Sequence, residues 1–175
     1  MKNALRSITL VIVLLFAVSA ISADKVVVIP LGGKVATTHY YTLPGAVFVG
    51  DLTADRTPPS LQNPDGTIGV PIGYFYAPLI LPNQAKLTEF VVYAKNGSTS
   101  VSEDVSLMRF DRLASAPVVM ATATIPFDTA TFQAFVAPSI SPDVIDNIDY
   151  SYAVVIHCKD GQLTVNAVRI TYTSQ

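Results

Sequence analysis

The 175-residue sequence predicts an all-β protein, an antiparallel β-sandwich of jelly-roll-like form behind an N-terminal signal helix. Three observations carry this reading. Short runs rich in Val, Ile, Tyr, Phe and Thr alternate with clusters of Pro, Gly, Asn and Asp. The first kind of residue fits a pleated sheet surface and the second makes turns. Apolar residues beyond the first twenty-odd positions do not recur at three-and-four spacing over a long window, so no amphipathic helix is expected. Finally, eight to ten short strands at regular spacing suit two packed sheets with long loops crossing between them.

The N-terminus reads as a secretory signal. Lys2 and Arg6 precede an apolar run from Ile8 to Val18, and small residues follow at Ser19-Ala20 and Ser22-Ala23. A basic start, a short apolar core and a small-residue exit are the parts a translocon and signal peptidase require. Residues 1–23 are therefore expected to be a signal peptide cut after Ala20 or Ala23, leaving residues 24–175 as a single β-sandwich domain. The apolar run is shorter than the roughly 20 residues of a spanning helix. No later apolar stretch reaches that length, so no membrane span is expected in the mature chain. The expected address is outside the cytoplasm: periplasm, cell surface or medium.

The strands follow in order. Lys25 to Ile29 reads as the first, ended by Pro30 and Gly32-Gly33, and a short strand is expected around Val47-Phe48. Asp51 to Gly66 is a long polar loop. Gly73 to Leu81 is a strand interrupted by Pro78, which lacks the ladder N–H and so belongs at an edge or bulge. Leu87 to Lys95 carries apolar groups on both faces, with Phe90 and Val92 opposed to Leu87, Val91 and Tyr93. Asn96-Gly97 is expected to turn a hairpin that returns through Val101 to Arg112. Pro117 to Ile125 and Thr131 to Ala137 are two further strands, followed by a loop from Pro138 to Asn147. Tyr150 to Cys158 and Leu163 to Thr173 read as the strongest hairpin, around Asp160-Gly161, a dipeptide suited to a tight primed turn. Leu163 and Val165 are out of phase with Val168, Ile170 and Tyr172, which predicts a bulge near Asn166. Arg169, Thr171 and Thr173 share the opposite face.

Several of these segments carry a wider likeness. Asp24 to Gly33 (DKVVVIPLGG), Leu43 to Phe48 (LPGAVF), Tyr76 to Pro82 (YAPLILP) and Val168 to Tyr172 (VRITY) resemble a loose group of exported bacterial β-sandwich proteins with no assigned function. The likeness spans most of the mature chain. Its motifs are strand patterns and turns, so it implies fold and compartment and brings no catalytic residue. Related chains often have Gly-Ala in the turn after Leu81-Pro82, where this one has Gln84-Ala85.

Composition bounds the function. Lys2 and Arg6 are two of the eleven basic residues, so nine basic and thirteen acidic residues remain in the mature chain. No basic patch exists to neutralise phosphates, so no nucleic-acid partner is expected. Charged residues make up 14% of the chain, against about 25% in an average soluble domain, and a surface so poor in charge suggests self-association. Cys158 is the sole cysteine, ends an apolar run, and reads as a small buried hydrophobe.

Chemistry-bearing patterns are sparse. His39 and His157 are the only histidines; His157 and Cys158 are strand neighbours pointing to opposite faces, which suits no Cys–His pair. No Gly-x-Ser-x-Gly turn or phosphate-cradling loop occurs. Glu103 and Asp104 are adjacent in a strand and point apart. Zinc spacing is absent. No cofactor is expected, with structural calcium the remaining option because it needs only oxygens: Asp143, Asp146 and Asp149 recur in one loop, and Asp51, Asp55 and Asp65 lie in another. Turn hydrogen bonding is the simpler account of such aspartates. Tyr40, Tyr41, Tyr74 and Tyr76 are candidate ligand-binding residues, since a tyrosine offers an apolar face and a polar tip to a glycan or protein. Asn96-Gly97-Ser98 matches the glycosylation sequon. Two readings result: an exported non-catalytic binding or assembly module, or a secreted hydrolase with a carboxylate site in the long loops.

Overall fold

A computed structural model describes residues 36–50, 66–113 and 116–174. The expected signal peptide, the strand at 25–29 and most of the 51–66 loop lie outside the described residues. Among the described residues ten strands form: β1 Thr37–Pro44, β2 Val49–Gly50, β3 Ile68–Val70, β4 Gly73–Leu79, β5 Lys86–Asn96, β6 Glu103–Asp111, β7 Val118–Ile125, β8 Thr129–Val136, β9 Tyr150–Cys158 and β10 Leu163–Ser174. A 3-10 turn, Gly45–Val47, precedes β2 where a strand was expected.

The strands make two antiparallel sheets. Sheet A runs β1-β10-β5-β8, with β3 beside the start of β10; sheet B runs β2-β4-β9-β6-β7. The pairings β3–β10, β4–β9, β5–β8 and β6–β7 are nested. From β3 to β10 the chain is thus one long hairpin rolled so that its strands fall alternately into two sheets, which is the jelly-roll arrangement. The fold class read from the sequence holds.

The rolling overturns two local expectations. Asn96-Gly97 and Asp160-Gly161 are not hairpin turns. β5 and β6 lie in different sheets, as do β9 and β10, so both dipeptides are corners that carry the chain across the core. Gly161 has a positive φ of 80°, and only this residue of the dipeptide does. Asn96 is fully buried, its Nδ2 donating to the Val101 and Ile125 carbonyls and its Oδ1 accepting from Ser98 N–H. The sequon asparagine is therefore internal. Among the described residues, β6 and β7 are the one pair of consecutive strands joined as neighbours in a sheet.

Alternation places the core. Phe75, Ala77 and Leu79 of β4 face Phe90, Val92 and Ala94 of β5 in one buried cluster, with Val105, Leu107, Val154, Ile156, Val168 and Ile170. Removing such side chains from water supplies most of the stabilisation, at roughly 25 cal/mol per Å². The bulge near Asn166 is present, between Val165 and Ala167, and brings Leu163 and Val165 into the core with Val168 and Ile170. A second irregularity, opposite the Thr171–Tyr172 step, was not foreseen. It moves Leu87 to the core side with Phe90 and Val92, against the sequence expectation that Leu87 would oppose them. Pro78 stands beyond the two residues of β4 that β2 covers, so its missing N–H leaves no ladder bond unmade there. Gly45 lies under the Val165 carbonyl, where a Cβ would collide with backbone.

Candidate functional site

At one end of the sandwich the sheet-crossing corners pack together around Glu103. Alternation along β6 turns this side chain inward with Val105 and Leu107, and it is fully buried. Both carboxylate oxygens accept the Lys159 N–H at 2.9 Å, and Oε1 also accepts the Asp160 N–H at 3.2 Å. Burial raises the Glu103 pKa above 4.5, against the lowering effect of those two N–H groups. Gly97 N–H donates to the Gln162 carbonyl, and Asp128 N–H to the Ser98 carbonyl. Cys158 is buried with a free thiol. Its Sγ donates to the Val70 carbonyl at 3.1 Å and accepts Gly161 N–H at 3.3 Å. Burial pushes the Cys158 pKa up, which keeps the thiol protonated and unreactive.

Glu103, Cys158 and Asp160 each place one potential ligand atom within 4.8 Å of the others, the one such group among the described residues. Each of the three already has hydrogen-bonding partners within the corner. The carboxylate accepts turn N–H groups, the sulfur bridges two backbone groups, and Asp160 is held below its ordinary pKa chiefly by the Ser98 hydroxyl. The arrangement is a clamp on the β9–β10 corner. Sequence reading missed it, although a Glu in phase with Val105 and Leu107 was a visible signal.

The expected calcium aspartates lie at the opposite end, in the loop between β8 and β9. Asp143 pairs with Lys86 at 3.5 Å, and Asp146 Oδ1 accepts Ile148 N–H two residues on. Asp149 is exposed. The three are not brought together as a ligand set, and Asp146 shows the turn bonding that aspartates favour. Asp51, Asp55 and Asp65 lie outside the described residues.

The four candidate tyrosines are split over three surroundings. Tyr41 packs against the core. Tyr74 and Tyr76 lie on the outer face of sheet B, where the Tyr74 ring stacks on His157 at 4.3 Å between centroids and 7° between planes. His39 has a comparable supporting role, hydrogen-bonded to Ser174 and stacked on Tyr172. Tyr40, 67% exposed, stands on the outer face of sheet A and is the one candidate that joins a larger constellation.

That constellation follows from register. Tyr40 is opposite Thr171, Arg169 is two residues along β10, and Tyr93 is opposite Ala167, two residues farther. Ala134 of β8 is opposite Tyr93, and Phe132 is two residues beyond it. Each step moves one strand across and two residues along, the diagonal spacing at which aromatic and long side chains still touch. The guanidinium of Arg169 lies 5.8 Å from the Tyr40 ring centroid and 5.7 Å from that of Tyr93. Lys95 Nζ lies 5.1 Å from the Phe132 centroid. Glu89 Oε2 accepts from Arg169 at 3.1 Å and from the Thr171 hydroxyl at 3.0 Å, so the guanidinium is fixed in place and its charge balanced. A stripe of three rings and one planar cation thus crosses all four long strands of sheet A.

No family model matches the chain, and no curated protein matches it. Among solved structures, the chain is similar to the crystal structure of Podospora anserina GH26-CBM35 beta-(1,4)-mannanase, at a TM-score of 0.42 and 10% sequence identity. The alignment covers 78% of this chain and 28% of that one.

Proposed function

We propose that the protein is an exported, non-catalytic binding module that lays a saccharide chain across the outer face of sheet A. The observation that carries this reading is the diagonal stripe Tyr40–Arg169–Tyr93–Phe132. Pyranose rings present an apolar face that stacks on aromatic rings, and their equatorial hydroxyls pair with planar side chains such as guanidinium and carboxylate. Arg169 and Glu89 supply those polar groups between two rings, already oriented by each other. Few, well-placed polar groups among aromatics are what fix a ligand's orientation. A stripe that runs across four strands of the sheet suits an extended polymer better than a small molecule.

Binding of the purified protein to a panel of soluble polysaccharides, read by titration calorimetry, tests this. Tyr40→Ala and Tyr93→Ala are each expected to weaken binding about tenfold, which corresponds to about 1.4 kcal/mol. Tyr74→Ala, on the opposite face, is expected to leave it unchanged. A panel without a binder, or affinity indifferent to both stripe substitutions, would sink the reading. The hydrolase alternative needs paired carboxylates across a cleft. Release of reducing sugar that Asp65→Ala or Asp146→Ala abolishes would put it in place of the binding module.

A further inference from the structure

We infer that the flank of the sandwich formed by β7 and β8 binds a second copy of this chain, with β8 pairing antiparallel to the partner's β8 so that the two A sheets become continuous. Among the described residues β8 ends sheet A and β7 ends sheet B, and the short connection 126–128 places both edges on one flank. From Pro117 to Pro142 the chain has a single charge, Asp128, and the ion pairs of the described residues, Lys86–Asp143, Lys159–Asp104 and Arg169–Glu89, all lie outside this stretch. Val118, Val119, Phe127, Phe132 and Val136 of this stretch are all exposed. β8 itself contains no charge, no proline and no glycine.

An open strand edge offers unpaired N–H and C=O groups to another chain, and monomeric proteins blunt such edges with Lys, Pro or bulges. β8 has one irregularity, between its Thr129 and Gln133 pairings with β5; from Gln133 to Val136 the register is regular. Gln133 points to the core side of the sheet, opposite Ala94, yet is exposed, so sheet B does not cover this edge.

The choice of a second copy as occupant rests on charge. A twofold axis brings each surface patch against itself, which sets like charges opposite one another unless the patch has none. This flank has none on the strand that would pair. The join would also bring the stripes of two copies to a common seam at Phe132, and two linked sites on one polymer raise avidity without new contacts. The inference stands on the β8 edge and not on the saccharide reading.

Light scattering after size exclusion, on the purified protein across a dilution series, is expected to give twice the chain mass at the concentrated end. Gln133→Lys and Val136→Lys, at exposed edge positions outside the stripe, are each expected to return it to a monomer whose melting temperature matches that of the wild-type protein at the dilute end of the series. Hydrogen exchange of the wild-type Gln133–Val136 amides should slow as concentration rises, a readout that needs no variant to fold. A wild-type monomer at every concentration, a mass that survives both lysines, a closed trimer, or edge amides whose exchange ignores concentration would each overturn the inference. Loss of the dimer with glycan affinity retained per chain would leave the saccharide reading standing; the reverse result would separate them the other way.

Discussion

The two ends of the sandwich solve one problem differently. Wherever the chain leaves a sheet, backbone N–H and C=O groups lose their ladder partners and need others. At the corner end a fully buried carboxylate, Glu103, accepts the N–H groups of Lys159 and Asp160. At the loop end the turn after β4 is tied from outside: Gln84 N–H donates to the Ile145 carbonyl, and Asn147 Nδ2 to the Leu81 carbonyl at 2.7 Å. The ion pair there, Lys86–Asp143, has both side chains well exposed, and such pairs contribute about 0–1 kcal/mol. The comparison teaches that a corner crossing the core needs an internal acceptor, whereas a loop over solvent uses its own side chains and neighbours.

The largest effect should come from breaking the internal acceptor. Glu103→Ala leaves the Lys159 and Asp160 N–H groups without a partner and is expected to cost about 3–5 kcal/mol, read by urea unfolding. A cost below that of an ordinary surface substitution would mean the corner is held by something else.

The same residue gives the corner end a pH dependence. The folded-state pKa of Glu103 is raised above 4.5 by burial, so the folded form retains a proton that the unfolded chain releases. Its contribution is present in full below pH 4.5 and is lost as pH rises through the raised value. Asp160 runs the other way, with a lowered pKa, so its contribution is lost as pH falls below 3.8. Above pH 4.5, then, Glu103→Gln should flatten the fall of stability with pH relative to wild type. Parallel curves for the two proteins over that range would contradict the assignment.

The smallest effect belongs to the loop end. Gln84 adopts a left-handed φ of 63°, a conformation that strains a side-chain-bearing residue. Gln84→Gly is expected to stabilise the fold by about 0.5–1 kcal/mol, the relief of strain less the entropy glycine loses on folding. A melting temperature that drops instead would show that the Gln84 side chain outweighs its backbone.

How much was legible follows from range. The Asn166 bulge showed as a break in alternation within one strand, and the opposed directions of His157 and Cys158 as simple neighbour geometry. Leu87 was misassigned because its irregularity is set by the pairing with Thr171 and Tyr172 of β10, far away in sequence, and leaves no mark on β5. Tyr40 was chosen for its chemistry; Arg169 and Tyr93 were seen only as members of strand faces. Nothing in the chain order announces that residues 40, 93, 132 and 169 share a diagonal.

What the sequence determined by itself was therefore local: β-strands of period two, their ends at Pro, Gly, Asn and Asp, and a core face for most of them. Those features depend on backbone sterics and side-chain alternation within a few residues. Only the tertiary structure decided that Asn96-Gly97 and Asp160-Gly161 cross between sheets, that Glu103 is a corner's internal acceptor, and that four side chains from four strands form one stripe. The physical reason is that a tight turn permits either a hairpin or a corner. The choice rests on which distant strand, β10 for β3 or β8 for β5, supplies the hydrogen bonds and the buried face.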